Sequence, residues 1–255
     1  MRCEYEKNNH GNYIGILLIC FVACSKQDAV LDEIKTYEIT SEIHSLDVQI
    51  NAADFKIENG DEFLVESNLK YLSVSEKNGV LTIEDKAKSN SNYFDSILTL
   101  YVPNGTEFDD VDIETGAAKM TVDTLSANSM ELKLGAGDVR FESLNASSEV
   151  DIEGGAGQIT IVSGTLNNLT IEMGMGELNL TAAVLGDSDL KFGVGESNLT
   201  LIGSKDDYKV NIEKGIGSIT VDGETVTDYG SSGNGQNYIE IEGGIGAINL
   251  NFKEK

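Results

Sequence analysis

The chain is poor in several residue types, and two of these shortages restrict its partners. Its 255 residues include only 18 lysines and arginines against 43 aspartates and glutamates, which gives a formal charge of -25 at pH 7. A surface of this charge repels nucleic acid and anionic lipid headgroups, so we expect neither as a partner. Tryptophan is absent, so an aromatic platform for a sugar would depend on tyrosines such as Tyr71, Tyr93 and Tyr101, which at strand edges more often serve packing.

Proline is also scarce, whereas glycine is abundant. The chain has a single proline, Pro103, and 27 glycines, together with many valines, isoleucines, leucines and threonines. This mixture favours short strands joined by bends over helices. The hydrophobic fraction of 40% is sufficient for a core and argues against general disorder.

An apolar run of ten residues, "IGILLICFVA" (14–23), ends immediately before Cys24. The run is too short to span a bilayer but suits the hydrophobic part of a signal peptide. The four residues 21–24 resemble a bacterial lipobox, whose cysteine is lipidated and becomes the new N-terminus. We therefore predict a signal peptide at 1–23, a lipidated Cys24 followed by a tether up to residue 44, and anchoring at the extracytoplasmic face of the membrane. The processed chain would keep one cysteine and no internal disulfide.

A pair of glycines separated by one residue recurs along the chain. The first positions are Gly116, Gly135, Gly155, Gly174, Gly193, Gly215 and Gly244, and the second are Ala118, Gly137, Gly157, Gly176, Gly195, Gly217 and Gly246. Successive second positions are 19, 20, 19, 19, 22 and 29 residues apart. An aliphatic residue stands three positions before every first glycine, and further apolar columns follow the second.

Apolar and polar residues alternate with period two on both sides of the glycines, which predicts strands with one buried face. The residue between the glycines is also apolar: Ala117, Ala136, Ala156, Met175, Val194, Ile216 or Ile245. The alternation slips by one position there, which is typical of a bulge or corner where a backbone without Cβ takes an unusual φ. The glycines are therefore predicted to be structural.

A repeat of about 20 residues cannot bury its apolar face alone, but stacked copies can. We therefore predict that residues 45–255 form a right-handed parallel β-helix, or solenoid, with turns of about 20 residues; the hand follows the general rule for parallel crossovers. The alternative, an antiparallel β-sandwich, explains the short strands but not the constant register. Residues 63–103 are less regular, and loops are predicted at 85–92 and 222–238.

The glycine segments lack the features of known ligand loops. A dinucleotide-binding loop requires a third glycine and a following helix, and neither is present in "GAGDVR" or "GMGELN". No segment has the lysine and hydroxyl residue of a P-loop. "GGAGQI" and "GGIGAI" begin like a calcium β-roll, but Ile159 and Ile248 occupy the position of its aspartate.

The lipobox, the "GVLTIED" segment (79–85) and the repeated "LxIExGxGxIxL" unit together are similar to a bacterial family of β-strand-repeat lipoproteins described as "putative adhesins". That family is built around a domain of unknown function, and the similarity covers residues 45–252. It implies a rod-like β-helix outside the membrane and provides no catalytic residues. Some relatives are associated with cell-envelope stress operons.

An enzyme is not predicted. A polysaccharide lyase on such a rod requires a basic residue, and the processed chain has one arginine, Arg140, in an outward column of threonines and asparagines, and one histidine, His44. Two acidic groups, Asp138 with Glu177 and Glu196, and Asp109 with Asp110 and Asp112, are interpreted as solvated charges. We predict no catalytic residues, no cofactor and no metal.

The sequence therefore predicts a non-enzymatic cell-surface lipoprotein, an adhesin or binding module displayed on the envelope, with a protein or glycan as ligand. The alternative is an envelope-stress accessory or scaffold protein that acts with a membrane partner. Within the predicted loop 222–238, Tyr229 and Tyr238 are the candidate ligand-binding residues, because binding is commonly carried by loops on a rigid scaffold.

Overall fold

Strands dominate the chain, as the alternating pattern predicts. The computed structural model describes residues 31–88, 93–213, 215–227 and 229–254. The strands in chain order are β1 (Leu31–Glu38), β2 (Ser45–Ile50), β3 (Asp54–Gly60), β4 (Leu64–Leu69), β5 (Leu72–Lys77), β6 (Val80–Asp85), β7 (Ile97–Pro103), β8 (Phe108–Ala117), β9 (Lys119–Ile161), β10 (Gly164–Asn167), β11 (Leu169–Leu185), β12 (Asp187–Ile202), β13 (Tyr208–Glu213), β14 (Ile216–Val221), β15 (Glu224–Val226), β16 (Gly230–Ser232) and β17 (Asn237–Lys253). A 3₁₀ turn at Lys205–Asp207 precedes β13. Among the described residues no helix is long and apolar enough to cross a membrane.

The repeats stack in register, so that each sequence column becomes a ladder. Gly176 lies opposite Gly157 on one side and Gly195 on the other, in parallel pairs. The aliphatic column three residues before the first glycine is fully buried in every repeat. Phe55 and Phe141 are among the largest side chains without solvent exposure in the same core.

The order of the layers departs from the order of the sequence at both ends of the stack. Strand β2 lies between β6 and β8, so the first layer in the chain is the second in space. Strand β17, the last in the chain, lies between β12 and the pair β13 and β14. The fixed columns make this exchange feasible, because layers with the same pattern can stack on one another in any order.

Antiparallel strands cover both outermost layers. Strands β4 and β5 pair with β7 and β6 at one end, and β1 pairs with β4. At the other end, β15 pairs with β14 and β16 with β13. An exposed strand edge is a template for aggregation, so these strands protect the stack.

Two predicted irregular segments contain more structure than the sequence indicates. The segment predicted as a tether includes β1. The segment 222–238 contains β15 and β16 and reaches the start of β17. Of the predicted loop 85–92, residues 89–92 lie outside the described residues, as do the predicted signal peptide and Cys24.

Candidate functional site

The glycine pairs form a continuous corner along the stack, and two physical constraints exclude a side chain there. Gly176 has φ of 136°, in the region that favours glycine. A Cβ at Gly176 would also fall on the carbonyl oxygen of Gly157 in the neighbouring layer. Gly174 has no positive φ, yet a Cβ there would fall on the oxygen of Gly155. The sequence predicted the unusual φ; the close approach of adjacent layers is an additional reason for glycine at both positions.

The corner turns the residue between the two glycines towards solvent. The largest of these residues occupy four successive layers and form what we call the apolar ridge: Met175, Val194, Ile245 and Ile216, which are 59%, 47%, 54% and 74% exposed. In the layers before them this position is alanine. The ridge therefore becomes bulkier towards one end of the stack.

Beside the ridge lies a groove of ≈ 810 Å³, which we call the corner groove. It follows the stack over several layers. Its floor includes Leu134, Met173 and Phe192, and the glycine backbone forms one side. Its other side is the charged column Glu114, Lys133, Glu153, Glu172, Lys191 and Glu242.

The two lysines of this column are neutralised locally. Lys133 forms an ion pair with Glu131, and Lys191 lies 3.1 Å from Asp189 and 3.8 Å from Glu172. No described basic side chain forms an ion pair with Glu114, Glu153 or Glu242 of this column. The groove therefore presents a net negative charge.

The neighbouring outward column strengthens this negative charge. Asp47, Asp112, Glu131 and Asp151 occupy consecutive layers. Burial raises the pKa of Asp112 and Asp151 above the ordinary value of 3.8, and the adjacent carboxylates raise it further. Desolvation is the larger cause for both carboxyl groups, and mutual repulsion of acids in register acts in the same direction. We call the sheet surface formed by these two columns the acidic face.

The surface on the other side of the corner has a different chemistry. Asn179, Asn198, Asn249 and Thr220 lie in consecutive layers and are linked by hydrogen bonds between their side chains. The amide of Asn198 donates to Asn179 Oδ1 at 3.0 Å, Asn249 donates to Asn198 Oδ1 at 2.8 Å, and the Thr220 hydroxyl donates to Asn249 Oδ1 at 2.6 Å. We call this surface the amide face.

The two tyrosines predicted to bind ligand are both half-buried. Tyr229 packs against the hydrophobic core between β15 and β16. Tyr238 lies in β17, where the Lys209 ammonium is 5.2 Å from its ring centroid and its hydroxyl lies 3.4 Å from a Glu240 carboxylate oxygen. The structure does not bring either of them to the corner groove.

The remaining residues considered in the sequence lie on outward surfaces. Arg140 forms an ion pair with Glu142 of its own strand. Glu177 and Glu196 are direct neighbours, whereas Gln158 separates Asp138 from Glu177. Within the described part of the chain, no group of three or more histidines, cysteines or carboxylates could hold a metal ion.

Sequence reasoning identified the apolar residue between the glycines but not its exposure. The available signal was the slip in the alternation: it places this residue out of phase with both flanking strands. The increase in size from alanine to methionine, valine and isoleucine was a second signal. Together they mark the ridge as a surface feature.

The fold and the site define a class: an all-β repeat protein with an open sheet, a glycine corner and a groove along that corner. The chain belongs to a known family of this kind. The family model described as "Toastrack DUF4097", a domain of unknown function with a solenoid-like β-fold, matches residues 42–251.

Several solved bacterial structures are similar to the chain. A "putative cell adhesion protein" from Clostridium sporogenes is 16% identical, with 87% of this chain and 99% of that chain covered and a TM-score of 0.38. A "putative adhesin" from Parabacteroides distasonis is 15% identical, with coverage of 88% and 98% and a TM-score of 0.47. A "putative lipid binding protein" from the same species is 15% identical, with coverage of 85% and 96% and a TM-score of 0.42. No curated protein matches the chain. Sequence identities of 15–16% do not establish a shared function.

Proposed function

We propose that the chain is a non-enzymatic binding module, an adhesin displayed on the bacterial envelope and anchored to the membrane by a lipid at Cys24. The apolar ridge carries this proposal. Contiguous apolar groups on a protein surface mark interaction sites, and four large apolar side chains in consecutive layers are between 47% and 74% exposed. The rod that presents them is proposed to coil in the right-handed sense, by the general preference of parallel crossovers.

The anchor is supported by the apolar run and by the small residue before Cys24. Cys24→Ala should abolish lipid labelling and prevent processing at this position, because the thiol that accepts the lipid is removed. Cys20→Ala is the matched control, since it removes a cysteine inside the same predicted signal peptide and should leave labelling intact. Continued labelling and processing of Cys24→Ala would refute the anchor.

The binding role is tested on cells that display the full chain. The double variant Ile245→Ser, Ile216→Ser replaces the two most C-terminal ridge residues at exposed positions, so the fold should tolerate it. We expect a several-fold loss of attachment to polystyrene and to a layer of cells of the same strain without the protein. The matched control is Thr121→Ser, Thr160→Ser on the amide face, with equal surface amounts verified by lipid labelling. Equal attachment of the wild type and the ridge variant would refute the proposal.

A further inference from the structure

We infer that the apolar ridge, with the carboxylates on its two sides, binds a basic amphipathic α-helix presented by a partner protein. This inference rests on the proposed function and defines the chemistry of its ligand. It depends on three properties of the corner: the spacing of the ridge, the charge on both sides of it and the exposure of its side chains.

The ridge has the spacing of a helix face. Its four residues lie in consecutive layers, which are about 4.8 Å apart, so the row is about 14 Å long. One helical turn rises about 5.4 Å, so apolar residues on one face of a helix stay close to this spacing over three steps. A strand along the ridge would present residues on one side every 6.6–6.8 Å or so and would lose register by about 2 Å at each step.

Carboxylates lie on both sides of the row. On the side of the acidic face, Glu242 and Glu213 are exposed, and no described basic side chain forms an ion pair with either. On the side of the amide face, Glu177 and Glu196 accept hydrogen bonds from Asn179 and Asn249. A helix with a narrow apolar stripe and lysines or arginines on both flanks complements this arrangement.

The same charges argue against two other occupants. A second copy of the chain would bring an identical set of carboxylates to the ridge, and like charges across an interface are costly. An anionic lipid surface is repelled for the same reason. The ligand must therefore supply positive charge together with an apolar stripe.

Three synthetic peptides test this inference against the full chain in nanodiscs of neutral phosphatidylcholine, with empty nanodiscs as the blank. The first has about 14 residues, with leucines at helical spacing and lysines elsewhere, and spans about 21 Å as a helix. The second has the same composition with leucine and lysine in strict alternation. The third is the first peptide with every lysine replaced by glutamate. We expect the first to bind, the second to bind much more weakly and the third not to bind, by titration calorimetry.

Variants of the chain assign the binding to the ridge. Ile245→Ser with Ile216→Ser should weaken binding of the first peptide by about tenfold or more, since two buried apolar contacts are lost. Glu242→Gln with Glu213→Gln should weaken binding and reduce its dependence on salt. Thr121→Ser with Thr160→Ser should change neither.

Several outcomes would overturn the inference. They are no binding of the first peptide, equal binding of the alternating or acidic peptide, and binding that is unaffected by the ridge variant. If the ridge variant loses cell attachment but no peptide binds, the helix is wrong and the proposed function stands. If attachment is unaffected, the proposed function itself fails.

Discussion

The acidic face and the amide face are built by the same repeat, one on each side of the glycine corner. Their outward side chains nevertheless interact differently between layers. On the amide face, Asn249 donates to Asn198 and Asn198 donates to Asn179, so each layer stabilises the next. On the acidic face, Asp112 and Asp151 repel the carboxylates above and below them. Exact stacking strengthens neutral donors and acceptors but accumulates repulsion between like charges.

This difference separates structural roles from binding roles within one repeat. A ladder whose donors and acceptors are paired with one another has little capacity left for a ligand. A row of carboxylates beside an exposed apolar ridge gains from a partner that neutralises it. The corner that joins the two faces controls both, because it fixes the register of the strands on each side.

The largest expected effect is at the corner. Gly176→Val places a β-branched residue at φ of 136° and puts its Cβ on the Gly157 carbonyl oxygen. We expect the free energy of unfolding to fall by more than about 3 kcal/mol, because backbone of the neighbouring layer must move. Urea denaturation measures this, with Met175→Val as the exposed control one residue away. Equal midpoints for the two variants would contradict the proposed geometry.

The next effect is in the amide face. Asn198→Asp keeps an acceptor for Asn249 but loses the donor to Asn179 Oδ1, and it places a charge beside that oxygen. A loss of about 1–3 kcal/mol in unfolding free energy is expected. Asn251→Asp adds the same charge outside this hydrogen-bonded row and serves as the control. A loss no larger than that of the control would show that the ladder contributes little.

A smaller effect concerns pH and the acidic face. Because the folded-state pKa of Asp112 and Asp151 is raised above the ordinary value of 3.8, the folded chain binds protons more readily than the unfolded chain. Their contribution to stability therefore increases as the pH falls through the raised pKa towards 3.8, and it is lost again as the pH rises. The difference in melting temperature between the wild type and Asp112→Asn, Asp151→Asn isolates this contribution. A constant difference between pH 7 and pH 4 would disprove it.

The smallest expected effect is a gain. Thr170 lies between Asp151 and Asp189 in the acidic face, so Thr170→Lys introduces a cation between two carboxylates. We expect stabilisation by about 0.2–1 kcal/mol, reduced by salt. Thr200→Lys, which lies between the neutral residues Thr181 and Asn251, provides the comparison. A stabilisation that is equal in both variants, or insensitive to salt, would argue against repulsion in the acidic face.

The sequence by itself determined the layers. Period-two alternation identifies inward side chains such as Ile113 and Leu132, because a strand directs successive residues to opposite faces. The recurring glycine pair located the corner, since only glycine combines the φ and the close approach found there. The repeat length required stacking, because one layer cannot bury its own apolar face.

Only the tertiary structure decided the order in which these layers stack and which of their apolar side chains are exposed. Strand β17 lies between β12 and β14, and a pattern shared by all layers cannot specify this order. The same holds for the candidate site. Tyr238 is apolar enough to anchor a ligand from a loop, but strand pairing holds it half-buried, whereas Ile216 resembles a core residue and is 74% exposed. An apolar residue at a corner lies in the core or at the surface according to the side to which the backbone turns it. The direction of this turn is fixed by contacts between layers that are distant in sequence.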